Sequence, residues 1–152
     1  MVNISLSDGH GGMNVPKIEV TTVLEGLSNP WDMAWTPDGS AMFFTEKLDG
    51  LSVLIGGKVH KLIGMKGSSG YADTHDDLFS YGAQEGMLGV VLDADFDNNR
   101  TLYLYSTSNK YHGNGCKTNF ERCDGNIVMK FTVAKNLKSL SNRVDIVLSL
   151  IH

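Results

Sequence analysis

Three groups of side chains in this chain carry the means for chemistry. Asp73, His75, Asp76 and Asp77 set carboxylates and an imidazole close together, a donor set that could ligate a metal. Their surroundings are polar and glycine-rich, so the reading preferred here is a solvated acidic loop. Asp93, Asp95, Asp97 and Asn99 alternate like the first half of a calcium-binding EF-hand loop. That pattern breaks where it must hold: Asn98 stands where glycine makes the sharp turn, and Leu104 stands where a bidentate glutamate belongs. A turn between two strands is the better reading. Cys116 and Cys123 share one polar, turn-forming segment, GNGCKTNFERCDGN. A disulfide there would close a short loop, with a chain-entropy contribution of about 2.5 kcal/mol at best. It would imply an oxidising compartment. Free thiols are the alternative, and a zinc site is disfavoured because no second Cys/His pair with zinc spacing accompanies the two.

Single residues divide in the same way. Trp31 and Trp35 could stack on a sugar, but they fall in a short strand that is apolar but for Asp32, which is read as burial on both faces and core packing. His60 alternates between Val59 and Lys61 and is expected to face solvent, as are His10 and His112 among glycines and polar residues. No P-loop, GxGxxG, GxSxG or HExxH sequence occurs. Asn3-Ile4-Ser5 and Asn99-Arg100-Thr101 match the glycosylation sequon, which matters only for a secreted eukaryotic protein.

The elements that must position these residues read as strands. Residues 1–16 lack any period and are expected to form a flexible arm. Ile18 to Leu24 is β-branched and alternating, the first strand candidate. Trp31 to Trp35, Ala41 to Thr45, Leu51 to Ile55 and Val59 to Ile63 follow as a four-stranded meander, punctuated by Thr36-Pro37-Asp38-Gly39, Leu48-Asp49-Gly50 and Gly56-Gly57. Lys66 to Glu85 is a long connection, too polar and glycine-rich for a helix. A second unit comprises Met87 to Leu92, Thr101 to Ser106, Asn126 to Val133 and Val144 to Ile151, with Val133 to Leu140 as a hairpin connection. The two units echo one another. With Pro30 set against Met87, Trp31 meets Leu88, Met33 meets Val90, Trp35 meets Leu92 and Asp38 meets Asp95, a repeat with a period in the fifties.

Composition agrees with an all-β chain. Its 152 residues suit one ordinary domain, and 41% hydrophobic content suffices for a core. Glycine, at 17 residues, exceeds the usual share of about 7%, which suits short strands and tight turns. A net charge of −4 provides no basic footprint for nucleic acid or anionic lipid. No apolar run approaches the roughly 18 residues of a membrane span. The first residues, MVNISLSDGHGGMNVPK, lack the n-region and h-region of a signal peptide. Repeated four-stranded units point to the blades of a β-propeller, of which about two are present where closure takes roughly four to eight.

Two stretches carry a resemblance to a known family. GLSNPWDMAWTPDGSAMFFTEK resembles the opening of the soluble quinoprotein glucose/sorbosone dehydrogenases, with its N-P-W-[DG]-[ML]-A core, P-D-G turn and T-E-[RK] strand end. GAQEGMLGVVLDADFDNNRTLYLYS resembles the second landmark, a G-Q-x-G-[LM]-L-G strand followed by an H-P-D-F turn and a Y-[LI]-Y-[IL] strand. The two occur in the family's order, and the resemblance covers about residues 18 to 151.

The resemblance implies a six-bladed propeller that holds pyrroloquinoline quinone (PQQ) over its top face with calcium assisting. It implies oxidation of a sugar hydroxyl, with hydride passing to the quinone and a histidine acting as general base. Gln84 matches the glutamine of the G-Q-x-G motif, which lies beside substrate and cofactor in the family. Its neutral amide can both donate to and accept from a sugar. Glu85 departs from the small or amide residue that often follows, and Asp93-Ala94 departs from His-Pro. The family's catalytic histidine lies in a D-H-x-x-G-R stretch that has no match here. His152 has no aspartate before it and reads as a chain end, so no catalytic residue is assigned within this chain.

The expectation is therefore an all-β chain with an arm at 1–16 and two propeller blades over 17–152. It would be the N-terminal part of a PQQ-dependent sugar dehydrogenase, inactive alone and exported to the periplasm or outside the cell. Family members can dimerise, and no nucleic-acid or membrane-spanning partner is expected. A non-catalytic extracellular propeller that binds a protein or glycan is the alternative, since fold alone does not settle function. A calcium-dependent hydrolase propeller is a third reading, without a ligand set to support it.

Overall fold

Backbone pairing follows the hairpin turns. A computed structural model of the chain describes residues 2–5, 17–80, 84–110 and 125–150. Within the stretch read as an arm, β1 (Val2–Ser5) pairs antiparallel with β2 (Lys17–Val20), so that the first candidate strand is shorter and begins earlier than its β-branched run suggests.

The first sheet comprises β3 (Pro30–Trp35), β4 (Ala41–Glu46), β5 (Gly50–Ile55), β6 (Lys58–Met65) and β7 (Asp73–His75), in that spatial order. The first four form the antiparallel meander. The fifth runs parallel to β6 and is a strand inside the long connection that the polar composition concealed. Gly50 shows why the β4–β5 turn takes glycine. Its φ is +127°, and a Cβ there would lie 2.2 Å from the Ile63 carbonyl oxygen.

The second sheet has the order β11-β10-β9-β8, formed by β8 (Met87–Leu92), β9 (Thr101–Ser108), β10 (Gly125–Val133) and β11 (Leu140–Leu150). A four-residue helix, α1 (Phe96–Asn99), fills the Asp/Asn-rich turn between β8 and β9. Asp93 organises that turn rather than a calcium site. Its carboxylate accepts from the Asp95 N–H at 3.0 Å, the Asn99 amide at 2.9 Å and the Tyr103 hydroxyl at 2.8 Å.

The two sheets pack face to face. Phe43, Val53 and Ile63 of the first meet Val90, Leu104, Ile127 and Met129 of the second, and Phe96 of α1 closes against Phe43 edge to face at 6.2 Å. Alternation in β10 is strict, with Ile127, Met129, Phe131 and Val133 inward.

One expectation fails here. Trp31, Met33 and Trp35 are not buried on both faces: they are 51%, 62% and 45% exposed. Alternation places all three on one face of β3, while the opposite face turns toward β8. The exposed set lines an apolar groove of about 580 Å³ together with Leu24, Met42 and Phe44. His60 is half-buried rather than fully solvent-facing.

Candidate functional site

The matched glutamine lies where the chain enters β8. Gly86 anchors that entry. Its N–H donates to the Thr107 hydroxyl at 3.0 Å, and its carbonyl accepts from the Thr107 N–H at 3.0 Å and the Ser106 hydroxyl at 3.1 Å. The next residue, Met87, donates to the Lys47 carbonyl at 3.0 Å. Gly86 has φ +133°, and a Cβ would stand 2.2 Å from that same carbonyl oxygen, so only glycine lets the β4–β5 turn approach this closely. Gln84 precedes this anchor and is exposed, Glu85 is half-buried, and the Ser80 hydroxyl donates to the Glu85 carbonyl at 2.8 Å.

The Lys47 side of the site has its own support. Lys47 N–H donates to the Asn29 carbonyl at 3.0 Å, and its ammonium stands 5.8 Å from the Trp31 ring centroid. Glu46, only 6% exposed, accepts from the Ser28 N–H at 2.8 Å and the Tyr71 hydroxyl at 3.4 Å. Burial, aided by the Glu46 and Asp49 charges, pushes the Tyr71 phenol well above its ordinary pKa, so it stays protonated and able to donate.

Two polar side chains join the sheets below the site. Asp32 Oδ2 accepts from the Val90 N–H at 2.9 Å, and the Thr45 hydroxyl donates to the Leu88 carbonyl at 2.6 Å while accepting from the Asp32 N–H at 3.1 Å. The pairing of β3 with β4 is irregular between Pro30 and Met33, and that of β8 with β9 between Met87 and Val90. The backbone groups freed by these irregularities find side-chain partners instead. Sequence reasoning passed over Asp32 and Glu46, because neither position shows its distant partner in a linear pattern.

The Asp73–Asp77 group is not a uniformly solvated loop. Arg143 of β11 donates through both terminal nitrogens to Asp77, at 2.7 and 2.6 Å, and through Nε to Asp145 at 2.8 Å. The same guanidinium donates to His75 Nδ1 at 2.9 Å, and His75 Nε2 lies 3.1 Å from Asp73. Asp76 stays exposed. Burial pushes the Asp77 carboxyl up, but hydrogen bonds from Arg143 and Ser108 outweigh it and hold the group below its ordinary range. Among the described residues no group of three or more His, Cys, Asp or Glu is arranged to hold a metal ion. Cys116, Cys123, His10, His112 and His152 lie outside the described residues.

The sequence pattern of the family described as "Glucose / Sorbosone dehydrogenase" matches residues 27–147. An uncharacterized protein of Synechocystis is 32% identical over 93 residues, covering 60% of this chain and 22% of the relative. The apo soluble aldose sugar dehydrogenase of Escherichia coli superposes with TM-score 0.61 at 21% identity, over 97% of this chain and 33% of that one. The PQQ-bound aldose sugar dehydrogenase of Streptomyces coelicolor does so with TM-score 0.58 at 15% identity, over 98% and 35% respectively. The chain thus spans about a third of the length of these solved structures, and at such identities the likeness is one of fold.

Proposed function

Since the chain belongs to the glucose/sorbosone dehydrogenase family, we propose that it forms part of a PQQ-dependent dehydrogenase acting on the hydroxyl of an aldose. The observation that carries this reading is the family pattern over residues 27–147 combined with an exposed Gln84 at a rigidly anchored strand entry. In this reading the two sheets are adjacent blades of a six-bladed propeller, and the Gln84 loop belongs to its cofactor face. The protein is exported to an oxidising compartment, where Cys116 and Cys123 pair. Among the described residues no helix is long and apolar enough to cross a membrane.

The residues around Gln84 fit one edge of a planar, carboxylated quinone. Lys47 brings a cation, Trp31 an aromatic face and Gln84 a neutral amide, all near one strand entry. PQQ, when bound, supplies a two-electron quinone that takes up hydride from an alcohol carbon. This chain's own contribution is binding and orientation. The Gln84 amide donates to a sugar oxygen and accepts from a sugar hydroxyl, which fixes how the sugar presents its carbon. The Glu85 carboxylate beside it biases the site toward hydroxyl-rich, uncharged sugars. A general base is not assigned within this chain, and no described donor set suits calcium.

Steady-state kinetics of the natural full-length protein with PQQ, calcium and a panel of aldoses test the reading. Gln84→Ala is expected to lower turnover about tenfold or more while leaving stability within the scatter of surface substitutions, about ±0.5 kcal/mol. Unaltered turnover would remove Gln84 from the site, and no aldose oxidation under any condition would remove the dehydrogenase reading.

A further inference from the structure

We propose that Arg143 is a positioning residue for the Gln84 segment, acting through a latch that it forms with Asp77 and the neutral ring of His75. The functional half of this inference rests on the reading of Gln84 given above.

Arg143 occupies an unusual place. Asp145 pairs with Met129, whose side chain is fully buried, so Asp145 and Arg143 occupy the inward face of β11. Val144 and Ile146 point the other way and are 48% and 50% exposed. Over residues 143–146, β11 therefore turns its charges in and its aliphatic residues out, the reverse of the usual pattern. Register shifts in its pairing with β10 accompany this inversion. Taking a guanidinium out of water carries a desolvation penalty of several kcal/mol, so a buried ion pair is weak evidence for stability and better evidence for a fixed geometry.

The geometry is well specified. The Arg143 side chain is 13% exposed, Asp77 20% and Asp145 8%. Arginine can only donate, so the 2.9 Å contact requires a lone pair on His75 Nδ1. The ring is then neutral, with its proton on Nε2 facing Asp73. Asp73 flanks the ring from β7, Asp77 from the following turn and Arg143 from β11, while the Phe131 ring of β10 meets it edge to face at 6.1 Å. Asp145 and Lys110, themselves 2.6 Å apart, complete the charges around the cluster. The Ser108 hydroxyl also donates to Asp77, at 2.9 Å.

A continuous set of contacts leads from this latch to the site. Asn109 N–H donates to the Asp77 carbonyl at 2.9 Å, Lys66 N–H donates to the Leu78 carbonyl at 2.8 Å, and Leu78 is fully buried in a bridge with Ser108. Phe79 is 4% exposed. Ser80 then donates to the Glu85 carbonyl, one residue beyond Gln84. Arg143 thus holds one end of a short segment whose other end supports the matched glutamine.

Amide hydrogen exchange at a single pH tests the latch in the natural full-length protein and in Arg143→Gln, Arg143→Lys and His75→Asn. The asparagine side chain offers Oδ1 where the ring offers Nδ1. In both Arg143 variants, exchange at residues 75–80 and 84–86 should rise tenfold or more while β4, β5 and β9 keep their protection. His75→Asn, which keeps an acceptor for Arg143, should retain the parental protection. Unchanged exchange in the Arg143 variants, a uniform rise across all strands, or loosening in His75→Asn equal to that in Arg143→Gln overturns the latch. PQQ titration separates the two layers. Weakened binding in Gln84→Ala but parental binding in a loosened Arg143→Gln overturns positioning alone. Parental binding in both removes Gln84 from the quinone edge, and the positioning role toward that edge with it.

Discussion

Asp32 and Val90 are 58 residues apart, yet the Asp32 carboxylate accepts the Val90 N–H at 2.9 Å and so ties the first strand of one sheet to the first strand of the other. The bond replaces ladder pairing where both strands are irregular, and the Thr45–Leu88 bond reinforces it. The strands that align in the internal repeat, Trp31 with Leu88 and Met33 with Val90, are thereby neighbours in space as well as equivalents in sequence.

Removing that acceptor leaves the Val90 N–H without its partner. We expect Asp32→Ala to destabilise the protein by about 1–3 kcal/mol, and Asp32→Asn, which keeps an acceptor oxygen, to destabilise it by less. Urea unfolding of both variants checks the order; equal losses would show that charge rather than the hydrogen bond matters.

Two glycines with positive φ should respond differently to a methyl group. Gly86→Ala combines a strained φ with a 2.2 Å approach to the Lys47 backbone and is expected to lose at least about 2 kcal/mol. Gly26→Ala, at φ +72° with open space around it, carries only the backbone term of about 1–2 kcal/mol. Thermal melts of the pair measure the difference, and equal losses would mean that the chain relaxes around Gly86 without penalty.

Acid sensitivity should trace in part to the Thr36–Ala41 turn. The Thr36 hydroxyl, the Ser40 N–H and the Ser40 hydroxyl donate to Asp38 and lower its pKa to about 2. The folded-state pKa lies below the unfolded one, so its contribution is full above the unfolded value near 3.8 and is lost as pH falls toward about 2. Full exposure keeps the contribution small. Asp38→Asn should flatten the stability profile between these values and leave it unchanged in shape above pH 5. Parallel acid limbs for variant and parent would exclude Asp38 as a contributor.

Local chemistry made much of this fold legible before any coordinates. The Thr36-Pro37-Asp38-Gly39, Leu48-Asp49-Gly50 and Gly56-Gly57 turns lie between the strands they were expected to join, because φ restrictions at proline and glycine act within a few residues. The strands of both meanders appear within a few residues of their apolar runs for the same reason. Gln84 is proposed for the site through its motif alone, and the structure adds the anchored strand entry beside it.

What tertiary structure alone decided is which face each strand buries and which distant residues meet. The run Trp31–Trp35, apolar but for Asp32, does not signal that the face carrying Trp31, Met33 and Trp35 would lie open, since burial depends on what packs against it. Nor does Arg143, beside two valines and an isoleucine within a few positions, announce that it turns inward. A shift of one residue in strand register exchanges the two faces, and that shift is settled by the pairing of β10 with β11 rather than by either sequence alone. The meeting of Arg143 with Asp77, 66 residues away, and of Asp32 with Val90 follows from the packing of whole sheets, a long-range outcome that no local window contains.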